Sequence, residues 1–232
     1  MTRMRSVLTA STAVATWCVL SLLPMSVLAQ GERANSCGPI GPPFVQTGPF
    51  DYQTDRQMVT FIEAHHFQPQ VEALVGVTRD IGADLDYTLV HVPNHPRALL
   101  ALIRFGEKLK WVSRPGLQFT YECYFERAIR FRPKDAMVRM IYATYLNKFS
   151  RTPDALKQLA YAADVANDDG FANYNIGLIY LDMKQYELAV AQAHKADSLG
   201  FSKPELRDRL KIAGKWRNPS PANEVADEKS KP

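Results

Sequence analysis

Residues 136–199 read AMVRMIYATYLNKFSRTPDALKQLAYAADVANDDGFANYNIGLIYLDMKQYELAVAQAHKADSL, and the pattern of this stretch repeats at a spacing of 34 residues. Small residues recur at that spacing, as in Ala143 and Gly177, and so do large apolar ones, as in Leu146 and Tyr180. A period of this length, filled by two short helices, is the signature of a helical repeat array, in which each unit buries its apolar face against the next. The stretch therefore predicts an all-α protein built of stacked helical hairpins.

The two clearest units resemble the tetratricopeptide repeat (TPR) family. In the second unit, Tyr174 to Tyr180 would form the first helix, and Tyr186 would begin a second helix with Ala189, Ala193 and Ala196 on one side. Gly177 and Ala189 remove side-chain bulk where the two helices would cross. The resemblance covers residues 95–213 and implies a short TPR-like α-solenoid that ends in a capping helix over 204–213. The Pro-rich, charged segment 214–232 is expected to be a disordered tail.

An earlier unit matches the pattern less well. Phe125, Ala128 and Pro133 continue the 34-residue register backwards, but Tyr121 stands where a small residue is usual. Its first helix is expected over 97–112, and a surplus of about eight residues follows around 113–116. The packing of this unit is therefore expected to depart from that of the other two.

Residues 30–94 are predicted to form an irregular arm rich in Pro and Gly, followed by short helices. Runs such as Cys37-Gly38-Pro39 and Gly41-Pro42-Pro43 interrupt helices. Residues 53–75 have helical spacing, Gly76–Gly82 is expected to be a break, and 84–92 a short helix stopped by Pro93. Because Phe44, Phe50 and Tyr52 are apolar, we expect the arm to lie against the helical body.

Residues 1–29 have the three parts of a cleavable signal peptide: Arg3 and Arg5, an apolar run over 7–23, and small residues before Gln30. The alternative is an uncleaved membrane anchor, since the run approaches the length of a span. Cleavage predicts a periplasmic or secreted protein without membrane insertion. In such a compartment Cys37 and Cys123 can form a disulfide, and the alternative is two separate thiols.

The charge balance excludes one class of partner. The chain has a net charge of +4, and removal of Arg3 and Arg5 would reduce the 28 basic residues to 26 against 24 acidic ones. A nucleic-acid-binding protein normally shows a concentrated basic face. We therefore expect no nucleic-acid partner.

The sequence contains no convincing catalytic set. The GxSxG, GxxxxGK[ST] and CxxC motifs are missing. His65, His66, His91 and His95 are the only candidate metal ligands in number, but the first two are adjacent and diverge on a helix, and prolines separate the others. We therefore expect neither an enzyme nor a cofactor or metal, and keep a metal protein at this histidine region as an alternative.

The resemblance implies that first helices line a concave groove for a partner peptide or amphipathic helix. Transferred to this sequence, the groove is apolar and would hold these residues: Leu102, Met137, Met140, Thr144, Phe171, Tyr174 and Leu178. The sequence thus favours a non-catalytic protein–protein scaffold of the bacterial-type periplasm or cell envelope. Two alternatives stay open, a permanent structural subunit of an envelope complex and a groove filled by the chain's own N-terminal arm.

Overall fold

The structure, a computed structural model, describes residues 37–40 and 48–218, and within these ranges it consists of ten helices and no strand. The predicted signal peptide, Phe44 and residues 219–232 of the predicted tail lie outside the described residues. The helices are α1 (Arg56–His66), α2 (Pro69–Glu72), α3 (Thr78–His91), α4 (Pro96–Lys108), α5 (Tyr121–Phe131), α6 (Ala136–Lys148), α7 (Thr152–Ala166), α8 (Gly170–Asp182), α9 (Tyr186–Ser198) and α10 (Pro204–Ile212).

Two tightly packed helix pairs, α6 with α7 and α8 with α9, form the C-terminal half. Small residues lie where their helices cross, because larger ones would hold the backbones apart. A Cβ added at Gly177 would come within 2.5 Å of Leu206 Cδ2 and 3.2 Å of Gln192 Cβ. Ala143, Ala155 and Ala189 are fully buried. The predicted all-helical class and the two predicted pairs are confirmed.

Four helices begin in a common register, at residues 96, 136, 170 and 204. We call α4, α6, α8 and α10 the first helices. The first three are each 13 residues long, and each begins with a side chain that accepts a hydrogen bond from the backbone N–H three residues later. His95 accepts from Ala98, and Asp135 and Asp169 do the same at their helices. Such caps satisfy N–H groups that lack a partner within the helix.

The pair α4 and α5 departs from this pattern, as expected, but α4 ends at Lys108 and not at residue 112. Lys110 and Trp111 have φ values of 51° and 61°, which an α-helix does not admit. The Trp111 ring folds back onto Gly106, where an added Cβ would lie 2.0 Å from the ring. The connection 109–120 replaces a three-residue turn of the later pairs, so the surplus is accommodated as a packed loop.

The predicted break at Gly76–Gly82 is wrong in its second half, since α3 begins at Thr78 and contains Gly82 in its second turn. A Cβ at Gly82 would lie 1.8 Å from the carbonyl oxygen of Pro115 and 3.2 Å from Phe105. The glycine therefore lets the 109–120 loop approach the helix. It is a packing residue and does not end the helix.

The N-terminal part packs against the start of the repeats. Helices α1 and α2 both contact α3, and α2 and α3 contact α4. Val59, Ile62 and Val92 form a small core of their own, covered by Phe50 and Tyr52. The expectation that apolar residues of the arm lie against the body is thus met for these two. A larger core runs continuously from Phe67 to Leu210.

Candidate functional site

The second, fifth and ninth residues of α4, α6 and α8 share one side of the first helices. We call this set the first-helix face. On α6 and α8 these positions hold the six groove residues predicted for the two repeats, and on α4 they hold Arg97, Leu100 and Arg104. Leu102 is out of register with the others, because its counterparts are the buried Tyr142 and Ile176. Leu102 is itself fully buried, and Leu100, 39% exposed, is the residue in register.

The predicted groove residues differ widely in exposure. Met140 and Tyr174 are 2% and 7% exposed, so they contribute to packing and offer little surface. Met137, Thr144 and Leu178 are half-buried, and Phe171 alone among the seven is exposed, at 50%. Sequence periodicity identifies the side of a helix but not what a neighbouring helix covers. The available surface is therefore narrower than the sequence predicts.

Phe171 and Tyr174 come together around Phe201, in the connection before α10. Both rings contact Phe201 edge-on, with centroids 5.5 Å and 5.3 Å away. Burial and the nearby Glu205 carboxylate raise the pKa of Tyr174. Edge-to-face contacts fix ring orientation, so Phe171 is an exposed aromatic ring held in place. The role of Phe201 was missed in the sequence, where it lies between predicted elements.

The α4 end of the face is covered by the chain's own N-terminal part. Arg97 pairs with Glu72 and approaches Glu63 at 3.5 Å. Arg104 donates to the backbone carbonyl of Glu72 at 3.0 Å, and Lys108 donates to that of Leu74 at 2.9 Å. The α1–α2 region therefore occupies this end, whereas the described arm residues 48–52 lie against α1 and the end of α3.

Cys37 and Cys123 are joined by a disulfide, with an S–S distance of 2.04 Å. It ties the segment 37–40 to the first turn of α5, beside a cavity of about 530 Å³. Three carboxylates and one guanidinium line this cavity together with the disulfide and Thr120. They are Glu122, Glu126, Asp154 and Arg151.

A polar network forms one wall of this cavity. Glu122 Oε1 accepts from the hydroxyl of Tyr142 at 2.7 Å and from the guanidinium of Arg151. Arg151 also pairs with Asp154 at 3.0 Å. Burial, and then the hydrogen bond to Glu122, raise the pKa of Tyr142, so the phenol stays protonated as donor. The network joins α5, α6 and α7 and leaves the disulfide side of the cavity to Glu126.

A second polar cluster is buried between the N-terminal segment and the repeats. The side-chain amide of Asn94 donates to Asp51 at 3.0 Å and to Asp135 at 3.2 Å. All three side chains are at most 7% exposed. Arg132 Nε lies 2.6 Å from Asp51, a charge contact whose N–H is not aligned with the oxygen. The cluster positions α6 through its cap Asp135, and no sequence motif indicated it.

The histidines considered as metal ligands are separated from one another by their hydrogen bonds. His65 and His91 each donate through Nδ1 to a backbone carbonyl at 2.8 Å, and His66 Nδ1 lies 2.9 Å from Asp84. His95 pairs with Glu63. Within residues 37–40 and 48–218, the one group of three ligating side chains that meet within 4.8 Å is Cys37, Cys123 and Glu126. The histidine region thus offers no shared ligand position.

Comparison of the chain with protein-family models and with curated proteins gave no match. Among the described helices, none is long and apolar enough to cross a membrane.

Proposed function

We propose that this protein is a short TPR-like α-solenoid that acts as a non-catalytic scaffold, binding an amphipathic helix or apolar peptide of another protein on the first-helix face. The observation that carries the proposal is Phe171, which is half exposed yet held edge-on by Phe201. Rigid exposed aromatic residues lose little side-chain entropy on binding, and they are enriched among the residues that dominate interface energies.

The neighbouring residues of the face support an apolar ligand. Met137 and Leu178 are half-buried and rest on the large core, so each presents part of an apolar side chain beside Phe171. Met side chains adapt to irregular apolar surfaces. An amphipathic helix places apolar residues three and four positions apart on one side, which suits a narrow row of this kind.

The polar clusters support the non-catalytic part of the proposal. Glu63 and His95, and likewise Asp51, Asn94 and Asp135, bond to one another and to helix caps. These groups connect the N-terminal part to the repeats. Their burial and mutual bonding indicate a structural task.

The test is capture of partners from cells with the wild type, with Phe171→Ala and with Leu188→Ala. Leu188 is a matched control, since it is 43% exposed but lies on α9, away from the first-helix face. We expect Phe171→Ala to weaken binding of the captured partner about tenfold or more. Leu188→Ala should leave it unchanged. Equal binding by all three proteins contradicts the proposal.

We also propose that the protein works outside the cytoplasm, in a bacterial-type periplasm or cell envelope. The support is the signal-peptide pattern of residues 1–29 together with the disulfide, a bond that persists in oxidising compartments. The intact mass of the protein from its native compartment tests this. A chain beginning at Gln30 is expected, and a chain that retains Met1 to Ala29 contradicts cleavage.

A further inference from the structure

The disulfide has a carboxylate as its immediate neighbour. Glu126 Oε2 lies 3.1 Å from Cys37 Sγ, and both sulfurs and a Glu126 oxygen fall within 4.8 Å of one another. A disulfide sulfur carries no hydrogen, so this approach is not a hydrogen bond from Cys37. Two sulfurs and a carboxylate oxygen are instead the donor types that bind zinc once the sulfurs are thiolates.

Cys37 is held in place by contacts that do not depend on the disulfide. Arg127 donates to the carbonyls of Cys37, at 3.1 Å, and of Pro39, and Arg130 donates to that of Gly38 at 2.8 Å. The Phe119 ring packs beneath Gly38, 3.3 Å from the position of a Cβ there. Both arginines belong to α5, the helix that carries Cys123. Breaking the S–S bond would therefore leave the two sulfurs side by side.

The surroundings favour thiolates and admit a cation. Cys123 lies in the first turn of α5, after the capping residue Thr120, where the partial positive charge of a helix N-terminus stabilises a thiolate. The adjoining cavity of about 530 Å³ gives access to the site. Its carboxylates Glu122, Glu126 and Asp154 outnumber its one cation, Arg151, which attracts positive ions.

We propose that reduction converts Cys37, Cys123 and Glu126 into a binding site for a thiophilic divalent cation such as Zn²⁺. A small-molecule dithiol supplies the electrons: its two S–H groups become a disulfide, the Cys37–Cys123 bond breaks, and each cysteine sulfur receives one proton. Zinc then displaces both protons and bonds to two thiolates and one carboxylate oxygen. The fourth position faces the cavity and takes a water molecule. The site does not depend on the first-helix face.

The test is a zinc titration of the full chain, reduced with a dithiol that is then removed without oxygen, and of the same protein left oxidised. Heat of binding and competition with a chromogenic chelator give the stoichiometry and Kd. A Cys37→Ser/Cys123→Ser protein accounts for zinc bound elsewhere, for example by Cys18 or histidines. One additional zinc per reduced chain is expected, and none for the oxidised chain. Equal zinc binding by the reduced protein and the double serine variant overturns the proposal.

Two further variants identify the carboxylate. Glu126→Gln should raise the Kd of the reduced protein for zinc by about tenfold or more, since ligand loss weakens metal sites at least as much as loss of an outer partner. Asp154→Asn is the matched control, because it removes a carboxylate of the same cavity that is outside the three-residue group. Its Kd should stay near the wild-type value. Identical values for Glu126→Gln and wild type would exclude Glu126 as a ligand and with it the proposed site.

Discussion

His95 Nε2 donates a hydrogen bond to Glu63 Oε1 across 3.0 Å, inside the junction between α1 and α4. The other ring nitrogen, Nδ1, accepts from the backbone N–H of Ala98 and so caps α4. The ring is fully buried, with Tyr52 and Phe67 at centroid distances of 4.7 Å and 4.8 Å. Because Nδ1 accepts and Nε2 donates, the imidazole is neutral, and protonation at Nδ1 would remove the cap.

The stability of the protein should therefore fall in mild acid. Burial lowers the pKa of His95 from 6.5 to about 4, although the neighbouring Glu63 acts in the opposite direction. The unfolded chain thus binds a proton that the folded chain refuses between these values, and stability is lost as pH falls through 6.5 towards 4. We expect a loss of about 2 kcal/mol in the free energy of unfolding between pH 7.5 and 5, measured by urea denaturation.

His95→Asn is the control for this pH dependence. Asparagine also caps helices well but does not titrate, so the difference between the two proteins isolates the histidine from the other acidic groups. The variant should lose less stability than the wild type over the same pH range. Parallel curves for both proteins would show that His95 does not titrate in this window.

Gly82→Ala should destabilise the protein although alanine is the better helix former. The new methyl group would overlap the Pro115 carbonyl, which is backbone and cannot rotate away. Forced repacking of this kind costs about 1 to 3 kcal/mol or more. Ala83→Gly, at the exposed neighbouring position, should cost only about 1 kcal/mol. Thermal unfolding of both variants decides the point, and a Gly82→Ala protein at least as stable as the wild type contradicts the described packing.

Loss of the disulfide should lower stability without dismantling the helices. The bond links residues 86 positions apart, and closing a loop of that size restricts the unfolded chain, for a typical gain of about 2 to 4 kcal/mol. Cys123→Ser should show a correspondingly lower midpoint in denaturant, with near-wild-type circular dichroism. Addition of reductant should shift the wild type towards the variant and leave the variant unmoved. A wild-type midpoint that ignores reductant would mean that the thiols are not paired.

The repeats were predictable from sequence because their packing is local. Each pair consists of adjacent helices joined by three residues, so a 34-residue pattern of small and large side chains specifies both the helices and their contact. Predicted elements around Tyr174 and Ala189 accordingly match α8 and α9. Capping by Asp135 and Asp169 follows from the same local signals.

The rest depends on contacts between distant parts of the chain. Gly82 has the appearance of a helix break until the loop at Pro115 is placed against it. Leu102 is a reasonable groove residue until the register of α4 is fixed by its cap, His95. Tyr174 belongs to the predicted face but is covered by Phe201, which lies 27 residues further along the chain. None of these contacts leaves a periodic signal.

The scaffold proposal is tested most directly by site-specific photocrosslinking in cells. A photoreactive amino acid replaces Phe171 in one strain and Leu188 in another, since both positions are exposed and lie on different faces. We predict a discrete crosslinked product with another protein from position 171, and none from position 188. No product at position 171, or the same product from both positions, would contradict a partner bound on the first-helix face.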